Sequence, residues 1–221
     1  RGVPYFVPAR IVIDCLRDLS PGDALAVLDA ALGRGLVTGP DLVEARKLQH
    51  RWPGIAIADR LLRLADGRRE SWLESVSAWV MASWELPQHI PQVNVWDAQG
   101  CFVARVDNLW PELGVVGEAD GLGKYLMNAK PGQSDEEATA SVLEKQADRE
   151  GRIVDLGLEV VRWETSDLSR PLGLRERFLA ATSRARPEKV TARFTCSCCS
   201  RPLTDCAQPT RIRLPKGFPG G

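Results

Sequence analysis

Apolar side chains recur every three or four residues through most of the first 84 positions, which predicts a series of amphipathic helices. The predicted helices cover residues 8–19, 23–35, 38–52, 53–67 and 71–84. Thr38 and Pro40 are typical of a helix start, and Gly33 and Gly35 are typical of a helix end. The fifth helix is apolar over more than half of its circumference, so we expect it to be buried.

Between residues 92 and 120 the pattern changes to an alternation of apolar and polar positions, which is typical of β-strands. The predicted strands are 92–97, 102–110 and 115–120, separated by the turn sequences AQG and PELG. Such short turns join antiparallel neighbours, so the three strands predict a meander. A charged helix at 134–157, a buried strand at 158–164 and a last helix at 170–185 follow. The intervening helix allows the fourth strand to join as a parallel neighbour, which makes the fold class α/β with a mixed sheet.

Carboxylates interrupt this otherwise apolar hairpin. Asp107 lies in the second strand, and Glu118 and Asp120 share one face of the third. Glu74, on the preceding helix, could pack above the same sheet or belong to the solvated face of its helix. Burying an unpaired carboxylate costs several kcal/mol, because the charge loses its hydration, unless a shared cation offsets this cost. The pattern therefore favours a functional site, although solvated strand edges would also accommodate these residues.

The charge is zero overall but is unevenly distributed. Residues 184–221 contain eight Lys or Arg and two acidic residues, a net charge of +6, so the rest of the chain carries −6. An acidic body argues against a broad nucleic-acid footprint there, although local basic patches remain compatible with it. No apolar run reaches the roughly 20 residues of a membrane span, and no signal sequence opens the chain. We therefore expect a cytoplasmic protein with no membrane partner.

Four of the six cysteines are crowded into CSCCSRPLTDC, at residues 196–206. This spacing lacks the paired C-x-x-C motifs of structural zinc sites, and no histidine lies nearby. Zinc binding is thus the less favoured interpretation. The composition of residues 187–221, rich in Pro and Arg, instead predicts a disordered basic tail.

The segments ESWLES, LPQHIPQ, ARVDNLWPELGVVGEADGLGKY and DREGRIVDLGLEVVRW occur in this order between about residues 68 and 170. In these segments the chain resembles an endonuclease-like family related to very-short-patch-repair endonucleases. The resemblance implies the restriction-endonuclease-like core of PD-(D/E)xK nucleases. The opening of the chain resembles the connecting region of actinobacterial AbiEi-type antitoxin proteins, in which such domains are C-terminal.

The resemblance also implies the site. Glu74 takes the place of the family's first-helix glutamate, Asp107 that of its metal-binding aspartate, and Glu118 that of the acidic residue on the third strand. Asp120 replaces the usual lysine two residues later, and Lys124 could supply the missing positive charge. These five residues are the predicted catalytic set, with Asp107 and Glu118 binding Mg²⁺ or Mn²⁺, which prefer oxygen ligands.

Arg149, in the predicted long helix, has two interpretations. It could reach the carboxylates from above the sheet, or it could simply be exposed. The exposed interpretation is favoured, since charges on a helix usually belong to its solvated face.

Three functions agree with these observations. The first is a metal-dependent nuclease that hydrolyses phosphodiester bonds in DNA, in a defence or toxin–antitoxin protein. The second is an inactive, nuclease-like regulatory module of an AbiEi-type antitoxin, with a second copy or a toxin as partner. The third is a purely structural domain. The expected organisation is a helical connecting region at 1–67, as a fragment of a longer N-terminal part, the nuclease-like domain at 68–186 and the tail at 187–221.

Overall fold

The computed structural model describes residues 7–84, 86–120, 135–206 and 212–218, without the side chains of 135–143 and 145. Its contacts divide the chain into two compact units. The helical unit comprises Arg1–Glu85 with Ala207–Gly221, and the sheet unit comprises Leu86–Cys206. The boundary lies after the fifth helix instead of before it, because that helix packs against the second one.

The five helices predicted for the first third of the chain are confirmed, with small changes at their ends. They are α1 Pro8–Asp18, α2 Pro21–Gly33, α3 Gly39–Leu48, α4 Ile55–Leu64 and α5 Trp72–Met81. Thr38 caps the start of α3, as predicted, and it forms a capping box with Asp41. Helix α5 ends at Met81 rather than continuing to Trp84.

The apolar faces of these helices form the core of the helical unit. Ile13, Leu25, Leu42 and Leu61 are fully buried there, and Ile212 reaches the same core from the C-terminal segment. Removing one such side chain from water stabilises a fold by roughly 1.5–3 kcal/mol. The unit is therefore a helical core in its own right, and it includes part of the chain's C-terminal end.

A five-stranded mixed sheet forms the centre of the sheet unit. Its strands are β1 Ile90–Trp96, β2 Phe102–Trp110, β3 Val115–Ala119, β4 Glu159–Trp163 and β5 Arg193–Cys196, in the order β4-β3-β2-β1-β5. Strands β1, β2 and β3 form the predicted antiparallel meander, and β4 is parallel to β3. The α/β class and the mixed sheet are thus confirmed.

Helices cover both faces of the sheet. The long helix α6, Asp135–Asp155, lies on the face that carries Asp107, because Arg149 of α6 bonds to that face. A short helix α7, Thr165–Leu168, precedes α8, Pro171–Arg184, on the chain. Phe178 of α8 packs edge-on against Trp110, at 4.7 Å between ring centroids, on the opposite face.

Residues 187–206 differ from the expected disordered tail. Strand β5 pairs antiparallel with β1, from Val93 opposite Cys196 to Trp96 opposite Arg193. Phe194 and Leu203 are partly buried against the apolar core of the sheet. The prediction of disorder was wrong here because composition does not reveal that β1 presents a free edge on which a short strand can pair.

Candidate functional site

The candidate site is built on the paired strands β2 and β3. Asn108 pairs with Gly117 in this antiparallel ladder. Asp107 directly precedes Asn108 and Glu118 directly follows Gly117, so their side chains share the opposite face of the sheet. The backbone pairing of β2 with β3 ends at Asn108 and Gly117, and the next backbone N–H of β3 that faces β2 bonds to the Asp107 side chain. Oδ2 of Asp107 accepts a hydrogen bond from the backbone N–H of Ala119 at 2.9 Å. The local pairing thereby fixes the position of the Asp107 carboxylate beside β3.

Glu118 is the most buried acid of the site, with 3% of its surface exposed. Its Oε1 accepts a hydrogen bond from Nη2 of Arg149 at 2.7 Å, and the same nitrogen donates to the carbonyl of Arg105 at 2.7 Å. Burial raises the pKa of Glu118 to about 7 against the opposing charge of Arg149; Asp107 and Asp120 also raise it, and Arg162 lowers it. Glu118 is therefore a carboxyl group that titrates near neutrality.

Asp120 forms the centre of a second set of contacts. Its Oδ2 accepts from Nη1 of Arg162 at 2.9 Å and from Nε2 of Gln146 at 3.2 Å. Arg162 lies opposite Glu118 in the parallel β3–β4 pair, and its Nε donates to Glu150 at 2.7 Å. Asp120 and Glu150 thus hold the Arg162 guanidinium beside the same group of carboxylates.

The structure brings three of the predicted residues together: Asp107, Glu118 and Asp120. Glu74 belongs to the helical unit, where its carboxylate accepts from the Ser71 hydroxyl at 2.7 Å and from the backbone N–H of Glu70 at 3.1 Å. Glu74 is buried and caps the first turn of α5, so it is not on a solvated helix face. Lys124 lies outside the described residues.

Two arginines, Arg149 and Arg162, complete the site, and neither belongs to the predicted catalytic set. The favoured interpretation of Arg149 as merely exposed was wrong, because it pairs with Glu118 although 36% of its side chain remains exposed. Arg162 is not among the predicted site residues. A signal is present in the sequence, since Arg162 is a charged residue directly between the apolar Val161 and Trp163 of β4.

The donor atoms of this site suit a hard cation. Carboxylate oxygens are preferred ligands of Mg²⁺, which ordinarily binds one or two carboxylates and keeps several waters. Asp107 and Glu118 could provide this pair, with Arg149 as a competitor for Glu118. Within the described residues, the group of three or more side chains close enough to share a metal ion is a different one, namely the four clustered cysteines.

No helix within the described ranges has both the length and the apolar character that spanning a bilayer requires. The sequence matches no protein-family model and no solved structure. It is similar to "Uncharacterized protein MT2308" of Mycobacterium tuberculosis strain CDC 1551 / Oshkosh and "Uncharacterized protein Rv2248" of strain ATCC 25618 / H37Rv, each 34% identical over 115 residues. The match covers 52% of this chain and 42% of each relative, so the chain matches less than half the length of these curated mycobacterial proteins.

Proposed function

We propose that the sheet unit is a divalent-metal-dependent nuclease domain that hydrolyses phosphodiester bonds in DNA. The observation that carries the proposal is the placement of buried Glu118 beside Asp107 on one sheet face, with Arg149 and Arg162 held against it. A buried acid that titrates near neutrality next to further acids is typical of functional sites. The order of meander, long helix and parallel strand agrees with a restriction-endonuclease-like core.

The residues of the chain have distinct roles in this proposal. Asp107 and Glu118 would hold Mg²⁺ or Mn²⁺, which supplies Lewis-acid polarisation of the phosphoryl group and an acidified water when bound. Glu118 must lose its proton to act as a ligand, which its pKa of about 7 permits under neutral conditions.

The two arginines supply positive charge in place of the lysine that Asp120 replaces. Guanidinium groups match phosphate oxygens in geometry and charge, so Arg149 and Arg162 are suited to contact the scissile phosphate. Asp120 keeps Arg162 in position through the 2.9 Å ion pair. Because the charge outside residues 184–221 is −6, contact of that part of the chain with the DNA backbone would depend on local positive charge such as these arginines.

The test combines Mn²⁺ titration calorimetry with nicking of supercoiled plasmid DNA, using the full chain. Asp107→Ala and Glu118→Gln each remove a proposed ligand, and Glu112→Gln is the matched control, since Glu112 is an exposed acid in the turn before β3. We expect nicking that depends on the cation and that falls by at least about 100-fold in both test variants. Losing a direct ligand should cost at least as much as losing an outer-shell partner, whose loss costs up to about 100-fold. The control should nick at the wild-type rate.

Absence of both Mn²⁺ binding and nicking in folded wild-type protein would contradict the nuclease proposal. Retention of nicking in Asp107→Ala and Glu118→Gln would contradict the assignment of the site, since another part of the sample would then carry the activity.

A second function has its own supporting observation. The Arg149–Glu118 and Arg162–Asp120 ion pairs already neutralise two of the three acids, which a metal-free regulatory module would require. In this alternative the fold is a binding platform in an AbiEi-type antitoxin, with DNA, a second copy or a toxin as partner. It predicts neither Mn²⁺ binding nor nicking in the wild type, and a loss of partner binding when Arg149 is replaced.

A further inference from the structure

The segment after β5 brings four cysteines to one point. Strand β5 ends on Cys196, which is fully buried. The backbone then reverses at once: the N–H of Cys196 donates to the carbonyl of Arg201, and the N–H of Ser200 donates to the carbonyl of Cys196, each at 2.9 Å. Ser200 adopts a left-handed φ of 55°, which this tight turn requires. The turn presents Cys198 and Cys199, and a short 3-10 turn, Leu203–Asp205, returns the chain to Cys206.

The sulfur positions match a four-coordinate metal. The Sγ atoms of all four cysteines lie within 4.8 Å of one another. Two of the separations are 2.9 Å, between Cys196 and Cys198, and 3.6 Å, between Cys198 and Cys206. Zn–S bonds of about 2.3 Å place the sulfurs of a tetrahedral site about 3.8 Å apart. The cluster therefore needs only small side-chain adjustments to surround one ion, and none of these four cysteines forms a disulfide bond.

Apolar packing does not account for this convergence. A buried thiol such as Cys196 behaves as a small hydrophobic side chain, but Cys198 and Cys199 are exposed. Small segments with little apolar core are commonly stabilised by a structural metal. Here Val190, Ala192, Phe194 and Leu203 are only partly buried against the sheet core. Apolar packing alone therefore stabilises this segment weakly, and its four cysteines could bind a metal ion that adds stability.

We propose that Cys196, Cys198, Cys199 and Cys206 bind one Zn²⁺ ion in a closed, structural site that ties the end of β5 to the chain that follows it. Four thiolates leave no coordination position for a substrate, so this ion has no catalytic role. Soft sulfur ligands in tetrahedral geometry select Zn²⁺ and exclude Mg²⁺, which separates this ion from the one proposed for Asp107 and Glu118. The zinc site does not depend on the nuclease proposal.

The first experiment is elemental analysis and native mass spectrometry of the full chain, purified without chelators and under reducing conditions. We expect one zinc per chain. A metal-free protein would overturn the proposal. So would a protein mass that is lower by the thiol hydrogens lost when two disulfide bonds form. Stoichiometric iron would overturn the assignment of zinc. Replacement of the ion by Co²⁺ should give the absorption bands of a tetrahedral cobalt–thiolate site, and octahedral bands would contradict the four-thiolate ligand set.

The matched variants are Cys199→Ser, in the exposed turn, and Cys101→Ser, an exposed free cysteine outside the cluster. Cys199→Ser should bind zinc at least tenfold more weakly, whereas Cys101→Ser should keep one zinc with unchanged affinity. Unchanged affinity in Cys199→Ser would overturn the ligand set. Removing the ion from wild-type protein with a zinc chelator should accelerate tryptic cleavage after exposed Arg193, because β5 would be held less tightly. Cleavage that is indifferent to the chelator would overturn the structural role.

Discussion

At the scale of single residues, Gly117 shows how tightly the sheet is packed on the side opposite the carboxylates. A Cβ at this position would lie 2.7 Å from two ring atoms of Trp163 and 2.9 Å from one of Trp110. Both indoles are almost fully buried, and Nε1 of Trp110 donates to the carbonyl of Pro87 at 2.9 Å. Neither ring can move away freely. The absence of a side chain between Val116 and Glu118 therefore allows two aromatic rings to cover β3.

Gly117→Ala should destabilise the sheet unit by roughly 1–3 kcal/mol, the usual cost of overpacking a core. Gly151→Ala is the matched control, because a methyl group on Gly151 in helix α6 would meet no atom within 4 Å, and alanine there should stabilise by roughly 0.5–1 kcal/mol. Urea denaturation measures the free energy of unfolding of both variants. Equal urea midpoints for Gly117→Ala and the wild type would contradict this prediction, since Trp110 and Trp163 would then accommodate the methyl group without loss of stability.

The pKa of Glu118 predicts a specific dependence of stability on pH. Because the folded-state pKa is raised from 4.5 to about 7, the folded protein binds more protons than the unfolded chain between these values. The contribution of Glu118 to stability is therefore fully present below about pH 4.5 and is lost as pH rises through about 7, by on the order of 3 kcal/mol for a shift of this size.

Urea denaturation in the presence of EDTA at pH 5 and pH 8 measures this dependence. The stability difference between the two pH values should be smaller in Glu118→Gln than in the wild type, since glutamine does not titrate. The same difference in both proteins would mean that Glu118 is ionised throughout this range. Glu112→Gln should leave the difference unchanged because Glu112 is exposed.

At the scale of elements, Asp29 shows how buried charges join the helices of the helical unit. It lies in α2, and its carboxylate accepts from the Ser75 hydroxyl of α5, from Nη1 of Arg69 and from the backbone N–H of Asp66, each at 2.8 Å. The side chains of Asp29 and Arg69 are both 1% exposed. Burial raises the pKa of Asp29, whereas Arg69 opposes this shift. One carboxylate thus connects α2, the 66–69 segment and α5.

Asp29→Ala should destabilise the helical unit by about 3–5 kcal/mol, because Arg69 would keep a buried charge without its partner. Asp18→Ala is the control: Asp18 is 67% exposed and makes only a 3.8 Å contact with Arg17, so its loss should cost less than about 0.5 kcal/mol. Urea denaturation followed by tryptophan fluorescence compares the two. A cost for Asp29→Ala as small as that of the control would show that Arg69 finds other partners.

At the scale of the whole molecule, the two proposed metal sites lie in one unit but on different strands. In the sheet order β4-β3-β2-β1-β5, the carboxylates lie on β2, on β3 or directly after β3. Arg162 lies on β4 and Arg149 on helix α6, whereas the cysteine cluster begins at the end of β5, at the other edge of the sheet. Their ligands differ as well, with oxygen at one and sulfur at the other. The two experiments can therefore succeed or fail separately. The basic residues after 184 are also divided, since residues up to 206 belong to the sheet unit and the later ones to the helical unit.

Hydrophobic periodicity and capping are short-range signals, and they suffice to predict the helices and the strands of the meander. The intervening helix then predicts the parallel fourth strand through the handedness of crossover connections. The sequence also located Asp107, Glu118 and Asp120, since the alternation of side chains along β2 and β3 already assigns each acid to a face. The bounds of β2 agree with the predicted 102–110 to the residue. Apart from the pairing of β4 with β3, these features depend on neighbours within a few positions along the chain.

The groups that surround those acids, and the meeting of the four cysteines, follow from long-range contacts that the structure reveals. Arg149 reaches Glu118 across 31 residues, and Arg162 reaches Asp120 across 42. Likewise, β5 is ordered by pairing with distant β1, and that pairing sets the turn that gathers Cys198, Cys199 and Cys206 around Cys196. Contacts of this kind depend on the path of the chain through space, which local periodicity and spacing rules do not encode.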